Sequence, residues 1–255
     1  MLDKGLLGLD DHELAHELAD RAAQRLLLLL EEGTANGDAS WEIEAAGDTN
    51  SHLWLAGQLA AARPDDALLS EEGEDDLARL SADRVWIIDP LDGSSSFGVA
   101  SPEWAVHVAL VRDGNADVGA VASPGVGVVA STHRPPTPAP EHQRSKPILL
   151  TGRTRFHNDG RVVGAAIDAE VAACSSAGVK AALVATGQAD AYVHNSPLFE
   201  WDVCAPAVVA TAAGFDVSTP TGGELVFNKA RPVVDGLVIT RPDLTASVLE
   251  SLRPL

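Results

Sequence analysis

Val85-Trp86-Ile87-Ile88-Asp89-Pro90-Leu91-Asp92-Gly93-Ser94 is the stretch on which the reading of this 255-residue chain turns. Its first four residues are β-branched or aromatic without a polar interruption, the pattern of a short buried strand. The strand ends at Asp89, which sets an acidic motif at a strand's C-terminal edge. Pro90 fixes one φ angle, and the turn lets the Asp89 and Asp92 carboxylates and the Leu91 carbonyl face one point. Gly93 permits close backbone approach, and Ser94 is placed to start a helix whose free N–H groups accept a phosphate. Hard cations such as Mg²⁺ take oxygen ligands and keep waters that a substrate displaces. Taken alone, the stretch is equally readable as an Asp-rich turn with a tight bend at Asp92-Gly93.

Working outward, three further acidic groups sit beside expected strand or helix ends: Asp48, the Glu71-Glu72 pair and Asp202. Two divalent ions about 3.5–4 Å apart clamp the attacking and leaving oxygens of an in-line phosphoryl displacement. The periodicity predicts an amphipathic helix over 11–32, with Leu14, Leu18, Ala22, Leu26 and Leu30 on one face and Gly33 at its end. A second helix is expected over 50–63, stopped by Pro64, followed by a strand over 67–70. Residues 104–112 and 118–122 read as a hairpin around Asp113-Gly114-Asn115, with a further strand over 126–131. The Pro-rich residues 135–146 read as a linker between an N-terminal half, 1–134, and a C-terminal half, 147–255. Beyond it, strands are expected over 148–151, 189–194 and 233–240. Helices are expected over 178–186, 202–213 and 244–252, with Pro206 inside the first turn of the second.

The formal charge of −19 argues against nucleic acid or an anionic membrane as a main partner. An anionic substrate would need bound cations to offset that charge locally. Two cysteines, Cys174 and Cys204, form no metal or disulfide spacing, and the N-terminus shows no apolar leader, so a cytoplasmic setting is expected. Two other motifs compete. His12-Glu13-Leu14-Ala15-His16 fits the zinc-peptidase signature, with Asp20 the obvious nearby third ligand. Leu14 and Leu18 already define a buried face there, which speaks against it. Gly125-Val126-Gly127-Val128-Val129-Ala130 fits a loose dinucleotide pattern, but its β-branched run reads as a strand. His107, within Trp104-Ala105-Val106-His107-Val108, reads as a strand residue with no assigned role.

The stretch 85–94, the preceding Leu69-Ser70-Glu71-Glu72 and the distant Trp201-Asp202 together resemble the inositol monophosphatase superfamily, in its order and across nearly the whole chain. The resemblance implies a layered αβαβα sandwich and a Mg²⁺-dependent phosphatase that uses two or three ions and metal-activated water, without a phosphoenzyme. It implies metal ligands at Glu71, Asp89, Asp92 and Asp202 and at the Leu91 main-chain oxygen. Asp48 matches an acid that holds a further metal or orients water. Ser94 stands where the family has Thr, paired with an acid to activate the nucleophile, with Gly93 beside it against the phosphate.

Within that superfamily the C-terminal half resembles the 3′(2′),5′-bisphosphate nucleotidase branch. The likeness lies in Ser175-Ser176-Ala177-Gly178-Val179-Lys180, in Trp201-Asp202-Val203-Cys204-Ala205-Pro206, and in Thr154-Arg155-Phe156-His157, where Phe156 departs from the usual Ser. By that likeness the substrate is 3′-phosphoadenosine 5′-phosphate, in sulfur assimilation, with Thr154, His157, Ser176 and Lys180 on the nucleotide; separately, the place of Glu200 next to Trp201 suggests that it faces the sugar. An inositol monophosphatase or a sugar bisphosphatase is the alternative. Lithium sensitivity and a homodimer are implied by the same family.

Overall fold

A computed structural model of the chain describes residues 3–75, 77–138, 145–153 and 156–253. After a 3₁₀ turn (Lys4–Leu6), helix α1 (Asp11–Asn36) begins where the Asp10 carboxylate accepts from the Glu13 N–H and the Glu13 carboxylate accepts from the Asp10 N–H. This reciprocal pairing satisfies two otherwise orphaned donors. The helix runs through Gly33 and ends at Gly37, whose φ of 76° closes it in a left-handed turn. Helix α2 (Ser40–Ala62) starts ten residues earlier than the sequence suggested, so Asp48 lies inside it.

Strands β1 (Ala67–Ser70) and β2 (Arg84–Asp92) follow, then the short helix α3 (Ser94–Gly98) and strands β3 (Ala105–Arg112), β4 (Asn115–Ser123) and β5 (Val128–Ser131). They form one sheet in the order β1-β2-β3-β4-β5, with β1 parallel to β2 and every other neighbour antiparallel. The Gly125-containing segment is a 3₁₀ turn (Pro124–Val126) leading into β5, not strand throughout. Of the expected linker, 139–144 lies outside the described residues.

The rest of the chain builds a second sheet. Strand β6 (Ile148–Thr151), a π-helical turn (Phe156–Gly160), helix α4 (Arg161–Ala166), strand β7 (Glu170–Ala173), helix α5 (Ala177–Ala185) and strand β8 (Ala191–His194) come first. After β9 (Leu198–Phe199) come helix α6 (Glu200–Ala212) and strand β10 (Asp216–Ser218). Strands β11 (Val233–Val234) and β12 (Leu237–Thr240) and helix α7 (Thr245–Ser251) complete it. The sheet order is β10-β12-β8-β6-β7, and β9 pairs with β11 apart from it. The expected strand over 233–240 is thus split, at Gly236 (φ 130°). Pro206 is well inside α6; lacking an N–H, it leaves the Asp202 carbonyl without its usual helical donor.

Alternation along the strands sorts the side chains into layers. Trp86, Ile88, Val106, Val108 and Leu110 pack against α1 and α2. Val85, Ile87, Ala105, Ala109 and Val111 face the other way, onto α5 and α6. Those two helices also receive Leu150, Tyr192, Leu237 and Ile239 from the second sheet, whose far face packs on α4 and α7 through Val163 and Val248. The result is the expected αβαβα sandwich. The middle helices are rich in Ala and Val because both flanks are covered by a sheet. Among the described residues no helix is long and apolar enough to cross a membrane.

Candidate active site

In an unbroken strand, residues three apart point to opposite faces. Asp89 and Asp92 escape that rule because β2 carries a bulge. Asp89 stands opposite His107 and Asp92 opposite Ala105, so three steps on β2 match two on β3. The motif therefore lies within the strand, not after it. Ser51 on α2 donates to the Pro90 carbonyl at 2.7 Å, and the Leu91 N–H donates to Asp89 Oδ1 at 3.0 Å. Gly93 then turns the chain with φ 85°, and a Cβ there would lie 2.6 Å from the Glu103 carbonyl oxygen.

The other acids arrive by three routes. Parallel pairing of Ser70 with Ile88 brings Glu71, the next residue, beside Asp89. Helix α2 touches the motif at Gly47, where a Cβ would stand 2.8 Å from Leu91 and Phe97, and this sets Asp48 at the rim. Helix α6, held between the sheets, carries Asp202 in its first turn, where Asp202 Oδ2 accepts from the Phe199 N–H at 3.2 Å. One carboxylate oxygen each from Asp89, Asp92 and Asp202 lies within 4.8 Å of the other two, and among the described residues this is the one such cluster.

The cluster's electrostatics call for a cation. Burial, then the charges of Asp92, Glu71 and Asp202, pushes the Asp89 carboxyl far above the ordinary carboxylate range. Burial and the Asp92 charge raise Asp202 to about 7. Burial, with Glu72 and Glu44, raises Asp48 to about 7 as well. Glu71 is raised by desolvation and Glu72, partly offset by a hydrogen bond with Asp89. Asp89 Oδ2 is buried with no hydrogen-bond partner. An orphaned carboxylate oxygen amid all-oxygen donors suits a hard divalent cation.

Asp92 behaves oppositely. Burial alone would raise it, but the nearness and charge of His107, the Lys180 charge and the Ser176 hydroxyl hold it below the ordinary range. Ser176 Oγ donates to Asp92 Oδ2 at 2.5 Å, the Gly178 N–H donates to the same oxygen at 2.7 Å, and His107 Nε2 lies 3.3 Å from it. Sequence reasoning gave His107 no role. The signal it passed over is a single polar residue inside an otherwise apolar run, Ala105 to Leu110.

The expected substrate contacts fare differently. Lys180 is buried, and its ammonium donates to the carbonyls of Cys174, Ser175 and Ser176 at 3.0, 3.0 and 2.6 Å. Its three protons are thereby used, so Lys180 shapes the loop before α5 and offers no donor to a nucleotide. Ser176, likewise buried, spends its proton on Asp92. Glu200 is fully buried and accepts from the Asn228 and Lys229 N–H groups, so it holds that loop and faces no sugar. Thr154 and the side chain of His157 lie outside the described residues. Ser94 Oγ donates to Glu44 Oε1 at 3.2 Å and Ser95 Oγ to the same oxygen at 3.0 Å; Glu44, one helical turn before Asp48, is an acid that the sequence reading did not single out. His12 and His16 bond through Nδ1 to the hydroxyls of Thr132 and Ser131, and they join no three-ligand cluster among the described residues.

Comparison with known proteins agrees with this arrangement. The model of the inositol monophosphatase family matches residues 12–253, and the chain belongs to that family. A 3′-phosphoadenosine 5′-phosphate phosphatase of Mycobacterium leprae is 38% identical, over 96% of this chain and 94% of its own. An inositol-1-monophosphatase of the same organism is 32% identical over 75% of each. Among solved structures, the extragenic suppressor protein suhB of Bartonella henselae superposes with a TM-score of 0.76 at 20% identity, over 96% of this chain and 99% of that one.

The raised carboxyls fix a pH dependence. Asp48 and Asp202 keep protons in the folded chain that the unfolded chain releases from about pH 4 upward. Cation-free stability therefore falls between about pH 4 and 7, and the loss is complete above that window. Thermal unfolding in chelator should give a lower Tm at about pH 8 than at about pH 5, and a divalent cation should restore most of the difference. Asp202→Asn removes one buried charge. Its chelated form should melt above wild type at the higher pH and gain little from the cation; a wild-type-like pH profile in that variant would show that Asp202 is not part of the charge cluster.

Proposed function

We propose that this chain is a Mg²⁺-dependent phosphatase that removes the 3′-phosphate of 3′-phosphoadenosine 5′-phosphate, with water as the nucleophile. The observation that carries the chemistry is the buried, cation-demanding cluster of Asp89, Asp92 and Asp202. The substrate rests on the relative of that name, which is similar over nearly its full length. Glu71, Asp89, Asp92 and Asp202 with the Leu91 carbonyl would hold the ions, two or three in number. When bound, these supply Lewis acidity, lower the pKa of a water and neutralise the phosphate oxygens.

The chain's own groups do the rest. Ser94 Oγ takes a proton from the attacking water as it passes its own to Glu44, so the Glu44 carboxylate is the final base. Asp48, with a carboxyl poised near neutrality at the rim, orients that water. The Gly93-Ser94 backbone meets the phosphate. The second anionic group of the substrate lies toward Thr154 and His157. Arg153, next to Thr154 in sequence, is exposed and bonded to Glu103 and Ser175. Residues 1–134 supply Glu71, Asp89 and Asp92, and residues 147–255 supply Asp202, so in this reading the site lies between two halves. A cytoplasmic setting accords with two free, buried cysteines, and a homodimer is part of the same reading.

Side-by-side phosphate release from 3′-phosphoadenosine 5′-phosphate, inositol 1-phosphate and fructose 1,6-bisphosphate tests the substrate. The expected result is a preference for the nucleotide of about tenfold or more in kcat/KM, about 1.4 kcal/mol of transition-state discrimination. A preference for inositol phosphate would keep the chemistry and replace the substrate, an alternative that the inositol-1-monophosphatase relative supports.

Two sets of variants test the chemistry. Asp89→Asn and Asp92→Asn should fold and lose turnover; wild-type rates in either folded variant would sink the metal assignment. Ser94→Ala should lower kcat by roughly 10²–10⁴-fold at saturating Mg²⁺, whereas Ser94→Thr keeps the hydroxyl and the activity. Equal rates in the Ala and Thr variants would remove Ser94 from the proton path.

A further inference from the structure

His107 touches both sides of the acidic cluster without belonging to it. It sits on β3 directly opposite Asp89, fully buried. Its Nδ1 lies 3.0 Å from the Trp201 carbonyl oxygen. A carbonyl only accepts, so that nitrogen carries a proton. The other nitrogen, Nε2, faces Asp92 Oδ2 at 3.3 Å. Nε2 is buried there without a hydrogen-bond partner, so what it gives Asp92 is a close, fixed neighbour and not a second hydrogen bond.

Two consequences follow for the acids. Ser176, Gly178 and His107 all converge on Oδ2 of Asp92, which leaves Oδ1 as the oxygen turned to a cation. Trp201 is the residue before Asp202, so the ring spans the gap between the Asp92 carboxylate and the peptide that carries Asp202. Helix α5 closes over the same ring: a Cβ at Gly178 would lie 2.1 Å from His107 Nε2. Only a residue without a side chain there lets the Gly178 N–H reach Asp92 while the imidazole stays in place.

We propose that His107 is a positioning residue that fixes the aim of Asp92 and its separation from Asp202, and so sets the cation affinity of the site. This rests on the reading of the cluster as a divalent-cation site. Partners that hold a metal ligand from behind are commonly worth 10–100-fold in metal affinity or activity. The imidazole differs from the three carbonyls on Lys180 in that it joins two ligand-bearing elements instead of shaping one loop.

The test is direct Mn²⁺ binding to the substrate-free protein, read as free Mn²⁺ by electron paramagnetic resonance, in wild type and in three variants. His107→Leu removes the Trp201 bond and the polar contact with Asp92, His107→Asn keeps a donor near the Nδ1 position, and His107→Gln keeps a polar group near Nε2. The Leu variant should weaken Mn²⁺ binding by roughly 10–100-fold, with Asn and Gln between it and wild type. The substrate KM at saturating metal should stay within about threefold while kcat falls. Should the Leu variant fail to fold, the Asn and Gln variants carry the same comparison. Folded variants with a lowered Tm but wild-type Mn²⁺ affinity would overturn the role of His107 alone. Wild-type protein that binds no Mn²⁺ would overturn the cation site itself.

Discussion

Carboxylates repel, and this fold forces several of them together out of water. With oxygens of Asp89, Asp92 and Asp202 within 4.8 Å of one another, all three cannot be ionised in a dry pocket without a compensating positive charge. The chain resolves the conflict unevenly. Asp92 is kept ionised by donors behind it, while Asp89 and Asp202 are left to hold protons until a cation displaces them. The net charge of −19 deepens the conflict, since the surrounding surface offers the cluster little positive potential. The site is thus a place where the fold gives up stability and a cation returns it.

The architecture can be read as the means of delivering those acids. They come from four stretches of chain, the end of β1, β2, α2 and the start of α6, and each stretch is positioned by its own packing. The bulge in β2 turns Asp92 to the face of Asp89, and parallel pairing with β1 adds Glu71. Contact at Gly47 brings α2 down on the motif. Asp202 depends on the middle layer. Helix α6 fits between two sheets because its buried positions are Val203, Cys204, Ala205, Pro206, Ala207, Val208, Val209 and Ala210. Larger side chains there would separate the sheets and carry Asp202 away from Asp89. The scarcity of aromatic residues and the abundance of Ala in the composition are in this sense requirements of the site.

Much of this was legible because it is written locally. The strands over 67–70 and 148–151 fall where the apolar runs place them, and the layered sandwich matches the family resemblance. The errors share a cause: neighbours that sequence does not show. Gly33 reads as a helix stop, yet α1 continues because Gly33 packs on Ile43 of α2. Strand β7 alternates around an exposed Glu170 and was missed, being an edge strand. Lys180 reads as a ligand-binding cation until the loop of carbonyls around it is seen. His107 gains its meaning only from the Asp92 and Trp201 atoms on either side, 15 residues before and 94 residues after it.

The inward turn of Lys180 and Ser176 separates two tasks that the sequence had merged. Of the donors assigned to a second phosphate, Ser176 is committed to Asp92 and Lys180 to the carbonyls of the loop that carries Ser176, so they serve the reacting centre whatever ester is bound. Discrimination among esters then has to come from groups that remain exposed at the rim, such as Arg153, which is exposed while bonded to Glu103 and Ser175. A buried cluster tuned by fixed donors changes little between substrates, because its geometry is set by the core. A rim of exposed side chains is free to vary without disturbing that core. On this division the catalytic chemistry is a property of the sandwich and the choice of substrate is a property of its edge.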